Sequence, residues 1–211
     1  MAGNFNVSSS PHVRDNSSTA NIMKDVCIAM IPTLAFGCFQ FGLSALIVVI
    51  GTVIACVLAE YLYEKLMKKP ITIGDFSAVV TGLILALNMP PQIPVWMPIL
   101  GGVFAIIVVK QLYGGLGQNF MNPALAARCF LLISFAGAMT NFSSVAMNYD
   151  SSSTATPLAS LKAIGIENAM EKYNMLNIFL GRIPGTIGEV STIALLIGAL
   201  YLVVRKVISL R

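Results

Sequence analysis

Charge is scarce in this sequence: 13 Lys and Arg and 9 Asp and Glu in 211 residues, 10% of the chain. Soluble domains carry about a quarter charged residues, so the material for an ordinary wet surface is missing. The surplus of +4 is too small to build a phosphate-tracking face, which excludes nucleic acid as a partner. The single histidine, His12, excludes a histidine-based metal centre or catalytic dyad. Cys27, Cys38, Cys56 and Cys129 stand far apart with no Cys-x-x-Cys spacing. They make no disulfide scaffold and supply no zinc or iron–sulfur ligand set from this chain alone. Residues 1–24 lack the apolar run of a secretory signal and read as a polar tail. Apolar residues, by contrast, make up 56% of the chain, and the mean hydropathy is +0.81. The composition implies an all-α integral membrane protein.

Six apolar segments are spaced for a polytopic helix bundle: Val26–Phe41, Leu43–Tyr63, Ile71–Met89, Met97–Tyr113, Ala124–Met139 and Val190–Val207. The third carries Asp75 and stops at Pro90-Pro91, so a broken or partly re-entrant element is expected there. With a cytoplasmic N-terminus, six crossings place Arg14, Lys24, Lys65, Lys68, Lys69, Lys110, Arg128, Arg205, Lys206 and Arg211 inside. Only Lys162, Lys172 and Arg182 then fall outside. The expected organisation is a cytoplasmic tail over 1–24, a membrane region over 25–139, an extracytoplasmic loop over 140–189, and a further helix over 190–211. Asp25, Glu60, Glu64 and Asp75 lie near predicted cytoplasmic ends and are expected at the interface. Asp75 is the candidate for cation transit.

The outer loop holds Asp150-Ser-Ser-Ser153-Thr154-Ala155-Thr156-Pro157, which resembles the flavin-attachment site of membrane flavoproteins. Companion motifs follow in order: Ser10-Pro11-His12-Val13-Arg14; Thr81-Gly82 through Pro90-Pro91; Lys110 through Gly114-Gly115-Leu116-Gly117-Gln118-Asn119 to Asn122-Pro123-Ala124; and Gly181 through Pro184-Gly185 to Gly188-Glu189. Together they resemble, from Ser10 to Arg211, the family that holds the D subunit of the Rnf ion-translocating ferredoxin:NAD oxidoreductase. That family also holds the B subunit of the sodium-translocating NADH:quinone oxidoreductase. The short tail is more similar to the Rnf branch. Thr154 departs from the small residue familiar before the Ala-Thr core.

The resemblance implies two inverted five-helix repeats, with the first and the opening of the second expected in this chain, which then reads as part of a longer protein. It implies FMN joined through its phosphate to the Thr156 hydroxyl by a flavin transferase, with Ser153 and Ala155 as recognition elements. Such a linkage tethers the cofactor and leaves the redox ring free. Asp150 either holds Mg²⁺ during attachment or starts a turn. Gly115, Gln118, Asn119 and Asn122 are read either as a cytoplasmic pocket for a noncovalent flavin such as riboflavin or as a capped turn between helices. Glu189 is either an ion-pathway residue or a first-turn charge. The implied function is a flavin-carrying subunit of an ion-pumping electron-transport complex in the bacterial inner membrane. Its implied partners are other membrane and peripheral subunits, lipid, and Na⁺ or H⁺. The rival is a channel or transporter subunit for ions or small solutes without a redox role.

Overall fold

The computed structural model describes residues 18–142, 161–162, 175–181, 183–189 and 191–208, and these form helices and turns without a strand. Asp150, Ser153, Ala155 and Thr156 lie outside the described residues. Helix α1 runs Thr19–Phe41, starting inside the segment read as tail, with the Ser18 side chain accepting from Asn21 N. It passes through Pro32 without ending. Gly42, at φ +75°, closes it and opens α2 (Leu43–Leu66), so a single residue joins the two helices.

Both helices are long and apolar enough to cross a membrane. On α2, Ile47, Ile50, Ile54, Leu58 and Leu62 form an exposed aliphatic stripe. Its opposite face buries Ala45, Val48, Thr52, Cys56 and Ala59. Large aliphatic side chains outside and small residues inside reverse the usual arrangement in water and suit lipid contact. The small face lets backbones approach: a Cβ on Gly82 would lie 2.9 Å from Val53 Cα, which leaves glycine the only residue that fits.

The third apolar segment is shorter than its sequence pattern. A 3₁₀ turn, Ile73–Asp75, leads to Phe76 at φ +63°, and only then does α3 run, Ser77–Leu87. Eleven residues rise about 16 Å, roughly half of a bilayer core. The break follows from the left-handed Phe76, which turns the chain so that Asp75 Oδ1 accepts from both Ser77 N and Ser77 Oγ (2.8 and 2.6 Å). Helix α4 (Trp96–Phe104) continues as a π-helical stretch, Ala105–Gln111. Helix α5 (Pro123–Ser134) breaks at Phe135 before the short α6 (Ala136–Met139). Two further helices, α7 (Met175–Leu180) and α8 (Thr192–Val204), complete the described elements. Thus an apolar helix stands in each of the six expected regions, but only α1 and α2 have full spanning length among the described residues.

Helix α8 packs along α1. Arg205 Nε and Tyr201 Oη donate to Asp25 Oδ1 at 3.2 and 3.0 Å. Ahead of α8 the chain folds back into the bundle: Ile187 N and Gly188 N donate to Met89 O and Leu87 O at 3.0 and 2.8 Å. Gln40 Nε2 donates to Ile183 O nearby. The carbonyls of Leu87 and Met89 thereby find backbone partners, as buried backbone requires.

Candidate functional site

The last turns of α2 carry Glu60 and Glu64, four residues apart and therefore on one helix face. Both are buried, at 0% and 2% exposure. α3 and the π-helical stretch pack over that face and cover them. Lys110, assigned above to the cytoplasmic charges, is 2% exposed. Its Nζ donates to Glu60 Oε1 at 2.6 Å and to Ser77 Oγ at 2.5 Å. Gln111 Nε2 donates to Glu60 Oε1 at 2.8 Å and to Glu64 Oε1 at 3.2 Å. Thr72 closes the network, giving Glu64 its hydroxyl at 2.5 Å and its backbone N–H at 3.0 Å.

The π-helix explains how the adjacent Lys110 and Gln111 reach one carboxylate. Its wider i→i+5 turn lets neighbouring side chains diverge less than in an α-helix, and the widening recurs at functional sites. Leu112 N to Ile107 O and Gly115 N to Lys110 O, at 3.0 Å each, continue this spacing. Ser77 links the parts by accepting from Lys110 and donating to Asp75. Asp75, the cation-transit candidate, is thus engaged in a local turn with Ser77, the first residue of α3. Glu60 Oε2 is the buried oxygen left without a hydrogen-bond partner among the described residues of this network.

A cavity of about 390 Å³ opens beside this network, a size within the range of small-molecule sites. Lys110, Ser77 and Thr81 line one wall, and Leu116, Asn119, Met121 and Asn122 line another. The glycine loop behaves as its composition predicts, with Gly114, Gly115 and Gly117 all at positive φ. Of the four pocket residues expected from sequence, Asn119 and Asn122 line the cavity, whereas Gly115 and Gln118 shape the loop without lining it. The capped-turn alternative also holds: Asn122 Oδ1 accepts from Ala124 N and Leu125 N, with Pro123 in the first turn of α5. One asparagine does both jobs, because the cap uses its oxygen and no described residue engages its Nδ2. Asn119 Nδ2 donates to Met121 O at 2.9 Å, leaving its oxygen for the cavity.

Across Met121 and Asn122 lies a second cavity of about 460 Å³, lined by Phe104, Tyr113, Phe120 and Leu125. At the far end of α3, Glu189 lies 3.9 Å from Arg128 and is largely exposed. Arg128 Nη1 also donates to Asn88 Oδ1 at 2.9 Å. Sequence reasoning missed Lys110, Ser77, Thr81 and Gln111 as site residues. The usable signal was a Lys-Gln pair closing an apolar helix, set against two glutamates four apart on another.

The model of the NQR2, RnfD, RnfE family matches residues 6–211. The chain belongs to this family. It is 52% identical over 208 residues to the D subunit of the Na(+)-translocating ferredoxin:NAD(+) oxidoreductase complex of Acetobacterium woodii, covering 99% of this chain and 65% of that relative. It is 46% identical over 211 residues to the D subunit of the proton-translocating ferredoxin:NAD(+) oxidoreductase complex of Clostridium ljungdahlii, covering 97% and 64%. It is 37% identical over 238 aligned residues to the D subunit of the ion-translocating oxidoreductase complex of Escherichia fergusonii, covering 97% and 68%. The chain therefore spans about two thirds of the length of these family members. Membership of this family and the two apolar helices α1 and α2 are consistent with a membrane protein.

Proposed function

We propose that this chain is a flavin-carrying membrane subunit of an ion-translocating electron-transport complex of the ferredoxin:NAD oxidoreductase type. The observation that carries the reading is a cavity lined by Lys110, Asn119 and Asn122 in a member of this family. The donor set suits the edge of an isoalloxazine ring, which offers carbonyl oxygens and one N–H. Asn122 Nδ2 and the Lys110 ammonium would meet the oxygens, and Asn119 Oδ1 would meet the N–H. A noncovalent flavin such as riboflavin would be held there, and a second, FMN, would be tethered on Thr156. Bound flavins supply the one- and two-electron chemistry, and the protein holds them at fixed places. Two relatives are named for Na⁺ and for protons respectively, so the ion here is one of these two.

The reading includes six crossings of the bacterial inner membrane, with the N-terminus cytoplasmic and the 140–189 loop outside. The surplus of basic residues on one side supports it. Its partners are the other subunits of the complex, the surrounding lipid and a flavin transferase that attaches FMN.

The test is a denaturing gel viewed under ultraviolet light after coexpression with the transferase. The expected result is a fluorescent band whose mass is raised by one FMN, abolished by Thr156→Val with the protein still in the membrane. A dark wild-type band overturns the Thr156 assignment. A chain that also retains no noncovalent flavin favours the channel or transporter reading.

A further inference from the structure

Lys110 is a cation buried at the wall of the flavin cavity, and its surroundings do not exhaust it. An ammonium has three N–H donors. Two are used, by Glu60 Oε1 and Ser77 Oγ, and no third bond is made among the described residues. The anchoring is rigid, because Glu60 is itself fixed by Gln111 and Ser77 by Asp75. A charge held this way in a weakly polarisable interior acts strongly on whatever occupies the cavity. The other charged groups of the network, Glu64 and Asp75, are turned to Thr72 and Ser77 instead. Neither lines the cavity.

We infer that Lys110 is the charge which sets the reduction potential of the flavin in this cavity, with Glu60 as the positioning residue that holds it and partly offsets it. The inference rests on the flavin reading of the cavity. A reduced flavin carries more negative charge than an oxidised one, so the ammonium favours the reduced ring and the Glu60 carboxylate opposes it. The two residues therefore act with opposite sign, and a purely structural role would not separate them.

The experiment is a spectroelectrochemical titration of the noncovalent flavin in the full-length protein, in a Thr156→Val background so that no tethered FMN contributes. Lys110→Met is expected to weaken the preference for the reduced flavin about tenfold, lowering the two-electron midpoint by about 30 mV. Glu60→Gln keeps an acceptor for Lys110 and removes the opposing charge, so the midpoint rises. The double variant returns close to the starting value. Should Lys110→Met fail to fold, the rise in Glu60→Gln and the return in the double variant still decide the matter. Flavin retained with an unchanged midpoint in Glu60→Gln, or shifts of the same sign in both single variants, overturns the inference alone. A Thr156→Val chain that retains no flavin overturns the cavity reading and the inference with it.

Discussion

At the N-terminal end of α3, Ser77 sits in a closed network with Lys110, Glu60 and Asp75, and a cavity opens beside it. At the C-terminal end of this eleven-residue helix, Leu87 O and Met89 O accept backbone N–H groups from a loop that Gln40 also anchors, through Ile183 O. That end is close-packed: a Cβ on Gly188 would fall 2.7 Å from Leu87 Cβ. A short helix buried among apolar neighbours must have both ends satisfied. One end uses charged side chains, which leaves a polar surface able to meet a ligand. The other uses backbone, which leaves no room for one. The contrast indicates which end carries chemistry and which closes the bundle.

The comparison is tested most severely by breaking the charged end. Glu60→Leu removes the partner of a buried ammonium and is expected to destabilise the folded chain by about 3–5 kcal/mol. Glu60→Leu/Lys110→Met removes both charges and should recover most of that loss, because the desolvation cost disappears with them. Thermal unfolding in detergent measures both. A double variant as unstable as the single would mean that Glu60 and Lys110 are not energetically coupled.

The packed end should respond differently, through volume rather than charge. Gly188→Ala places a methyl against Leu87 Cβ and 3.1 Å from Leu87 O, where neither neighbour is a flexible side-chain tip. The expected cost is about 1–3 kcal/mol, insensitive to salt, with the cavity beside Lys110 unaltered. Loss of the proposed noncovalent flavin in this variant would show that the two ends are linked through α3 rather than separate.

Much of this contrast was hidden in the sequence. Pro90-Pro91 marked where α3 must stop, and Asn122-Pro123 marked the cap of α5, since both rest on local chemistry. The start of α3 was partly legible as well, because Gly74-Asp75 interrupts the apolar pattern just ahead of it. The left-handed Phe76 that breaks it is an uncommon conformation for an aromatic. Lys110 and Glu60 are fifty positions apart, and periodicity says nothing about which distant face will cover a charge. Lys110 therefore read as one of the cytoplasmic charges. The pairing of Gly188 with Leu87 is equally long-range. The glycines of the 114–117 turn could be recognised as conformationally permissive, and that turn adopts positive φ at three of them. That Asn119 and Asn122 would line a cavity was one of two open readings, and the cap chemistry of Asn122 proved compatible with it.

The weakest expected effect lies in the ion pair at the packed end. Arg128 Nη1 and Glu189 Oε1 are 3.9 Å apart, with side-chain exposures of 37% and 59%. An exposed pair at that separation gains little over its hydrated charges and is screened by salt. Arg128 is held independently by Asn88 Oδ1 at 2.9 Å, so removing Glu189 leaves no buried charge without a partner. Glu189→Gln is therefore expected to change stability by about 0.5 kcal/mol or less, and by less again at high salt. That is several-fold below the expected loss in Glu60→Leu, although both substitutions delete one carboxylate paired to a cation. The difference is burial. If Glu189→Gln instead costs as much as Glu60→Leu in the same unfolding measurement, the backbone pairing of Gly188 and Ile187 is not sufficient to hold the loop. The packed end would then depend on charge as the other end does.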